Sequence, residues 1–289
     1  MKVGVVGLGM MGLGIASNLA GKGYEVYGYD IDPTRGKLLE EAGGHNTAGY
    51  AELGKNVDAA ILMVFSPEIL KDVLFGENGL AGALAPGSTV LVTATVGPAT
   101  IAEVEPRLAE RGISVLDAAL MANMESAGKG AMHILVSARP EVVEKNSKLL
   151  NDMSSELYFL GDRAGMAQAG KVCLQTLFSL TFETAFEVIT LTKKLNLNME
   201  EMDRLYRNSG STSELFHETQ ANIENRIFTG TANPLSILDK DIHLTMDVAK
   251  EHQLELPASE GTAKVFREAM RHYGAEDIWA AVKVIENGR

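Results

Sequence analysis

Short apolar runs alternate with amphipathic stretches through the first half of the chain. Val3-Gly-Val-Val6, Glu25-Val-Tyr-Gly-Tyr29, Ala59-Ala-Ile-Leu-Met-Val64, Thr89-Val-Leu-Val-Thr93, Ser114-Val-Leu116 and Ile134-Leu-Val136 are rich in apolar and β-branched residues and predict strands. Between them, Met11 to Lys22, Pro33 to Ala42 and Thr100 to Arg111 carry apolar residues at helical spacing. Strands alternating with helices make βαβ units, and strands that are apolar throughout suit a parallel sheet covered on both faces. The pattern changes after Arg163. From Met166 to Lys194 there is no proline and one glycine, Gly170, which predicts a single long helix. Further helical segments follow at Met199 to Asn208, Ser213 to Ile227, Ser236 to Gln253 and Ser259 to Tyr273, and the only further strand offered after Val136 is Leu157-Tyr-Phe-Leu160. Two domains are expected, a doubly wound α/β domain over residues 1–162 and an all-helical one over residues 163–289.

Composition narrows the function classes. The 289 residues carry 26 Lys+Arg against 38 Asp+Glu, a formal net charge of −12, with 46% hydrophobic and 22% charged residues. That supports a buried core and a globular, soluble protein rather than a disordered one. The acidic balance, with no basic run interleaved with aromatics, argues against nucleic-acid binding. One cysteine, Cys173, excludes an intrachain disulfide and a Cys-based metal site, and no His/Asp/Glu set has metal-ligand spacing, so no metal is expected. Lys2 before the apolar run Val3 to Ala20 has the outline of a signal peptide, but Gly4, Gly7, Gly9, Gly12 and Gly14 and a change of period at Gly7 read instead as strand, turn and helix. No other stretch of about 18 apolar residues occurs, so no membrane span and a cytoplasmic location are expected.

Gly7-Leu8-Gly9-Met10-Met11-Gly12 is a G-x-G-x-x-G sequence between the first strand and the first helix. The tight turn needs a residue without Cβ at Gly7, a pyrophosphate needs close backbone approach at Gly9, and the helix packs on the sheet at Gly12. The helix N-terminus offers unpaired N–H groups and a partial positive charge to the phosphates. Asp30 ends the second strand, 18 residues beyond Gly12. A carboxylate there accepts from the adenosine ribose hydroxyls and repels a 2′-phosphate, which favours NAD over NADP; FAD would call for further binding elements. The first domain is accordingly of Rossmann type. On the long helix, Lys171 and Gln175 stand at i and i+4, on one face. A lysine among Ala, Gly, Val and Cys is a candidate acid/base, because desolvation lowers an ammonium pKa toward the operating pH; a surface lysine on an amphipathic helix fits the same pattern.

The glycine loop with Ala16-Ser-Asn-Leu-Ala20, then Thr95-Val-Gly-Pro98, Leu116-Asp-Ala118, Gly170-Lys171 and Leu238-Asp-Lys-Asp-Ile-His-Leu244, resembles in order and over nearly the whole chain the β-hydroxyacid dehydrogenases. These are the 3-hydroxyisobutyrate dehydrogenase-like enzymes related to 6-phosphogluconate dehydrogenase. The resemblance implies a Rossmann domain followed by an all-helical substrate and oligomerisation domain. It also implies hydride transfer between a nicotinamide and a small β-hydroxyacid-like alcohol or the matching aldehyde or ketone, with Lys171 as general acid/base, Gln175 orienting it or the substrate, and a homodimer or homotetramer. Lys240 would lie at the nicotinamide end, and Phe65, Ser66 and Thr95 along the cofactor.

Two positions depart from the family pattern. The substrate loop, usually Asp-Ala-Pro-Val-Ser-Gly-Gly, reads Asp117-Ala-Ala-Leu-Met-Ala-Asn123, so Met121, Ala122 and Asn123 stand where a serine and two glycines hold the substrate carboxylate. Met121 has no strong donor; Asn123 keeps one. Leu174 replaces a polar residue three positions after the lysine. The altered loop also resembles that of imine reductases, which generally carry Asp or Tyr in place of Lys171 and prefer NADPH, against which Asp30 argues. A non-catalytic dinucleotide-binding sensor is the remaining alternative. His133 reads as a core side chain, and Ser213 as the N-cap of the helix it opens.

Overall fold

The computed structural model describes residues 1–288. Eight strands, β1 (Lys2–Val6), β2 (Glu25–Tyr29), β3 (His45–Asn46), β4 (Ala59–Leu62), β5 (Thr89–Val92), β6 (Ser114–Met121), β7 (Met132–Ser137) and β8 (Ser154–Gly161), form one sheet in the order β3-β2-β1-β4-β5-β6-β7-β8. Every neighbouring pair is parallel except β6 with β7. Strand order reverses between β1 and β4, and at such a switch point the carboxyl ends of the strands leave a crevice for a ligand. The connecting helices are α1 (Met10–Gly21), α2 (Pro33–Glu41), α3 (Tyr50–Asn56), α4 (Pro67–Phe75), α5 (Pro98–Ala109), α6 (Met124–Lys129), α7 (Pro140–Lys145) and α8 (Ser147–Met153).

The uniform apolarity of the strands has a direct cause. On β4, Ala59 and Ile61 enter one core with Leu19 and Leu116, while Ala60 and Leu62 enter a second with Leu70 and Val90. Successive side chains point to opposite faces, so a sheet with helices on both sides needs apolar residues at every position.

Three features differ from the sequence expectation. β3 is a two-residue edge strand, too short to leave a pattern. β6 continues past Leu116 to Met121, because Asp117 to Met121 pair antiparallel with Ser137 to His133. Most of the segment expected to form a substrate loop is therefore strand. β8 extends on both sides of Leu157–Leu160 and pairs parallel with β7.

The chain separates into two compact units, Met1–Lys171 and Val172–Arg289, and the division falls inside α9 (Met166–Lys194) rather than before it. The first turns of α9 belong to the sheet unit. The second unit continues with α10 (Met199–Ser209), α11 (Glu214–Glu224), α12 (Leu235–Glu251), α13 (Pro257–Tyr273) and α14 (Val282–Glu286). Its core joins Phe182, Phe186 and Ile189 of α9 to Phe216, Phe266 and Trp279, with the Phe186 and Phe266 rings edge-on at 6.3 Å. Ser213 caps α11, accepting from the Phe216 N–H at 3.3 Å. By length and composition alone α9 is apolar enough to cross a membrane. The reason is its role as a core helix, with Phe182, Ala185, Phe186 and Ile189 filling the second unit.

Candidate functional site

The chain leaves β1 through Gly7, whose φ of +87° and the 2.2 Å that would separate a Cβ from the Met63 carbonyl oxygen both require glycine. A Cβ on Gly12 would stand 1.8 Å from the Gly7 carbonyl oxygen. Gly9 is different: among the described residues no atom lies within 4 Å of its Cβ position. It is also the N-cap of α1, with no side-chain cap and no acidic residue in the first turn. The start of α1 thus offers backbone N–H groups on an open approach, which fits the pyrophosphate of a dinucleotide. Leu8 is buried in the core with Val26 and Leu39, Met11 is half-buried, and Met10 is exposed.

Asp30, at the end of β2, is tied into this loop. Its Oδ2 accepts from the Leu8 N–H at 2.6 Å and its Oδ1 from the Asp32 N–H at 2.9 Å. Each oxygen keeps a further lone pair for a ribose hydroxyl. Asp32 caps α2 through Thr34, whose hydroxyl and N–H hold its carboxyl below the usual range, and Arg35 Nε lies 3.7 Å from it. Beyond β4, Phe65 is 56% exposed and Ser66 caps α4 by accepting from the Ile69 N–H at 3.3 Å. Thr95 is half-buried in the turn between β5 and α5.

β6 directs Asp117, Ala119 and Met121 to one face, by the period of two of a strand. Asp117 is fully buried and accepts from the N–H groups of Gly165 and Gln168, from the Gln168 side chain and from Ser137. Burial pushes its carboxyl above the ordinary value, and these hydrogen bonds, led by the Gln168 N–H, act in the opposite direction. Met121 packs with Ala119, Leu135, Leu160 and Ala167. Ala167 lies one helical turn before Lys171, which is buried at 8% exposure.

The segment after β6 gives Asn123 a local role at the start of α6. Asn123 caps α6: its Oδ1 accepts from the Ser126 N–H, and its own N–H donates to Ser126 Oγ, each at 2.9 Å. These groups close a capping box, which leaves the side-chain NH2 as the donor outside it. Ala122 and Asn123 are exposed.

In the second unit, Gln175 and Lys240 meet on one residue that sequence reasoning passed over. Gln175 Nε2 donates to Asp241 Oδ2, and Lys240 Nζ donates to Asp241 Oδ1 at 2.5 Å, with Asp241 only 2% exposed. An acid between Lys240 and Ile242, on a helix that buries Leu238 and Ile242, was the available signal. Asp117 carried the same signal as a lone charge within the run Val115 to Met121. Gln168, fully buried three residues before Lys171, left no such mark, because a glutamine on a helix is ordinarily solvated.

The NAD binding domain of 6-phosphogluconate dehydrogenase matches residues 2–161, and the NAD-binding domain of NADP-dependent 3-hydroxyisobutyrate dehydrogenase matches residues 165–285. An L-threonate dehydrogenase of Cupriavidus necator is 31% identical over 289 residues, spanning 98% of this chain and 95% of that one. A 3-sulfolactaldehyde reductase of Escherichia coli is 25% identical, spanning 97% and 94%. The crystal structure of a 3-hydroxyisobutyrate dehydrogenase from Salmonella typhimurium superposes with a TM-score of 0.86 at 26% identity, over 98% of this chain and 99% of that one.

Proposed function

Because the chain belongs to the β-hydroxyacid dehydrogenase family, NAD(P)-dependent oxidoreductases acting on CH–OH groups, we propose that it moves hydride between NAD and a small hydroxylated acid, or the matching aldehyde or ketone, with Lys171 as general acid/base. The observation that carries this reading is a lysine held at 8% exposure at the start of α9, in the same unit as the open glycine loop. Bound there, NAD would accept the hydride from the alcohol carbon or return it. Lys171 as the neutral amine takes the hydroxyl proton; in the reverse direction its ammonium delivers one to the carbonyl oxygen. Gln175, one turn along α9, is held by Asp241 and orients the amine or the substrate oxygen. Asp30 supports NAD, since its carboxylate accepts from ribose hydroxyls and repels a 2′-phosphate. L-threonate is the first substrate to try, given the Cupriavidus necator relative. Leu177 and Leu191, exposed on α9, and the exposed Leu195 just beyond its end support self-association as a homodimer or homotetramer, which light scattering on the full chain would test.

The experiment is nicotinamide absorbance with NAD and NADP against hydroxyacids, sugar acids, aldehydes and cyclic imines, with Lys171→Ala alongside. Lys171→Ala is expected to lose about 10²–10⁴ in kcat while NADH affinity stays within about threefold. Near-full turnover in that variant would sink the acid/base assignment. NADH binding with no turnover on any compound would favour the sensor.

A further inference from the structure

The first turn of α9 is held by side chains from the sheet. Asp117 Oδ2 accepts from the N–H groups of Gly165 and Gln168, both at 2.9 Å, and from Ser137 Oγ at 3.1 Å. Ser137 Oγ in turn accepts from the Ala167 N–H at 2.8 Å. A helix start leaves its first N–H groups without intrahelical partners, and here the sheet supplies them. Gln168 uses its whole amide: Nε2 donates to Asp117 Oδ1 at 3.1 Å and to the Ala94 carbonyl at 3.0 Å, while Oε1 accepts from the N–H groups of Val96 and Gly97 at 2.9 and 3.0 Å. Ala94, Val96 and Gly97 bracket Thr95, and Gln168 precedes Lys171 by less than one turn. Asp117, Ser137 and Gln168 are all fully buried, so each unmade bond would leave a polar group stranded away from water. Such a network tolerates one geometry.

We infer that Gln168 and Asp117 are positioning residues that lock the Thr95 turn to the first turn of α9, so that the turn and Lys171 move as one body. Both are fully buried, so they act through their neighbours rather than on a substrate. The inference rests on Lys171 being the proton-transfer group. It gives the network its purpose, because a misplacement of about 1 Å at a reacting group costs on the order of 10²-fold in rate.

The test uses the full chain, NADH as ligand, and NAD with L-threonate as the kinetic probe. Gln168→Met preserves volume and removes every bond of the amide. Hydrogen exchange read by mass spectrometry is expected to slow together in peptides 94–100 and 165–171 when NADH is added to the parent protein. In Gln168→Met the response at 165–171 disappears, while the response at the glycine loop remains. The same variant is expected to lose about 10- to 100-fold in kcat, with KM for NAD within about twofold. An unchanged NADH response at 165–171 in Gln168→Met, its absence in the parent, or a lowered Tm with kcat intact would each overturn the inference. If Gln168→Met does not fold, Ser137→Ala, which removes one donor to Asp117 and the acceptor of the Ala167 N–H, is measured in the same way. The exchange result needs no turnover. An active Lys171→Ala would therefore reject the lysine reading, whereas an inactive Lys171→Ala beside an unaltered Gln168→Met would reject only the network.

Discussion

The Leu8 N–H and the Asp30 carboxylate lie 2.6 Å apart, so the side chain expected to choose the nucleotide also braces the turn that meets its phosphates. Asp30→Ala removes both functions. NADH affinity is expected to fall about 10- to 100-fold, the worth of hydrogen bonds to a charged group. NADPH affinity should fall less, because repulsion of the 2′-phosphate is relieved at the same time. Fluorescence titration with both nucleotides checks this; equal losses would confine Asp30 to bracing the loop.

The glycines of the loop should separate folding from binding. Gly9→Ala places its methyl in open space, so Tm should stay within about 2 °C of the parent while NADH affinity drops at least tenfold. Gly12→Ala drives a methyl to 1.8 Å from the Gly7 carbonyl oxygen and should lower Tm as well. Thermal melts with and without NADH decide it. Tight NADH binding by Gly9→Ala would remove the pyrophosphate from this site.

Ser126 holds the Asn123 N–H inside the capping box. Ser126→Ala frees that donor at the position where the family resemblance places the substrate carboxylate. KM for L-threonate is expected to fall about fivefold, the worth of one ordinary hydrogen bond, with kcat unchanged. A KM that stays or rises would show that the acid group binds elsewhere.

Asp241 is buried beneath two donors, Gln175 and Lys240. Asp241→Ala withdraws both acceptor oxygens and should cost about 1–3 kcal/mol in chemical denaturation, with Asp241→Asn recovering part of it. Turnover should fall further than stability alone explains if Gln175 orients the amine. An unchanged denaturation midpoint in Asp241→Ala would mean that neither bond matters to the fold.

Glu183 on α9 carries a stability switch of defined sign. Burial and then the neighbouring Glu187 raise its carboxyl from 4.5 to about 8, and its Oε2 is buried without a hydrogen-bond partner among the described residues. Between those values the folded chain binds a proton that the unfolded chain has released, so this group's contribution is complete below about pH 4.5 and is lost as pH rises through about 8. Glu183→Gln is expected to match the parent Tm at low pH and exceed it by several degrees at pH 8. A constant gap across that range would contradict the raised value.

Much of the site was legible because its chemistry is local. The positions of Gly7, Gly9 and Gly12 and the distance to Asp30 are dictated by one strand-to-helix turn, and the structure gives each glycine the surroundings its position demanded. The long helix was equally open, since a 3.6-residue period sustained from Met166 to Lys194 has no competing reading.

What the sequence determined by itself was the alternation that builds a doubly wound sheet, the phosphate-binding turn, and a lysine near the start of a long helix. Tertiary structure decided the rest. β6 runs through Asp117 because β7 pairs with it, and no pattern within residues 117–121 records a partner strand more than ten residues away. Asp117 meets Gln168 across 51 residues, and Gln175 meets Asp241 across 66. Asn123, expected to face a substrate, spends its Oδ1 and N–H on its own helix. Period and spacing are set by the backbone and can be read along the chain; the partners of a buried polar side chain are set by which segments fold against it.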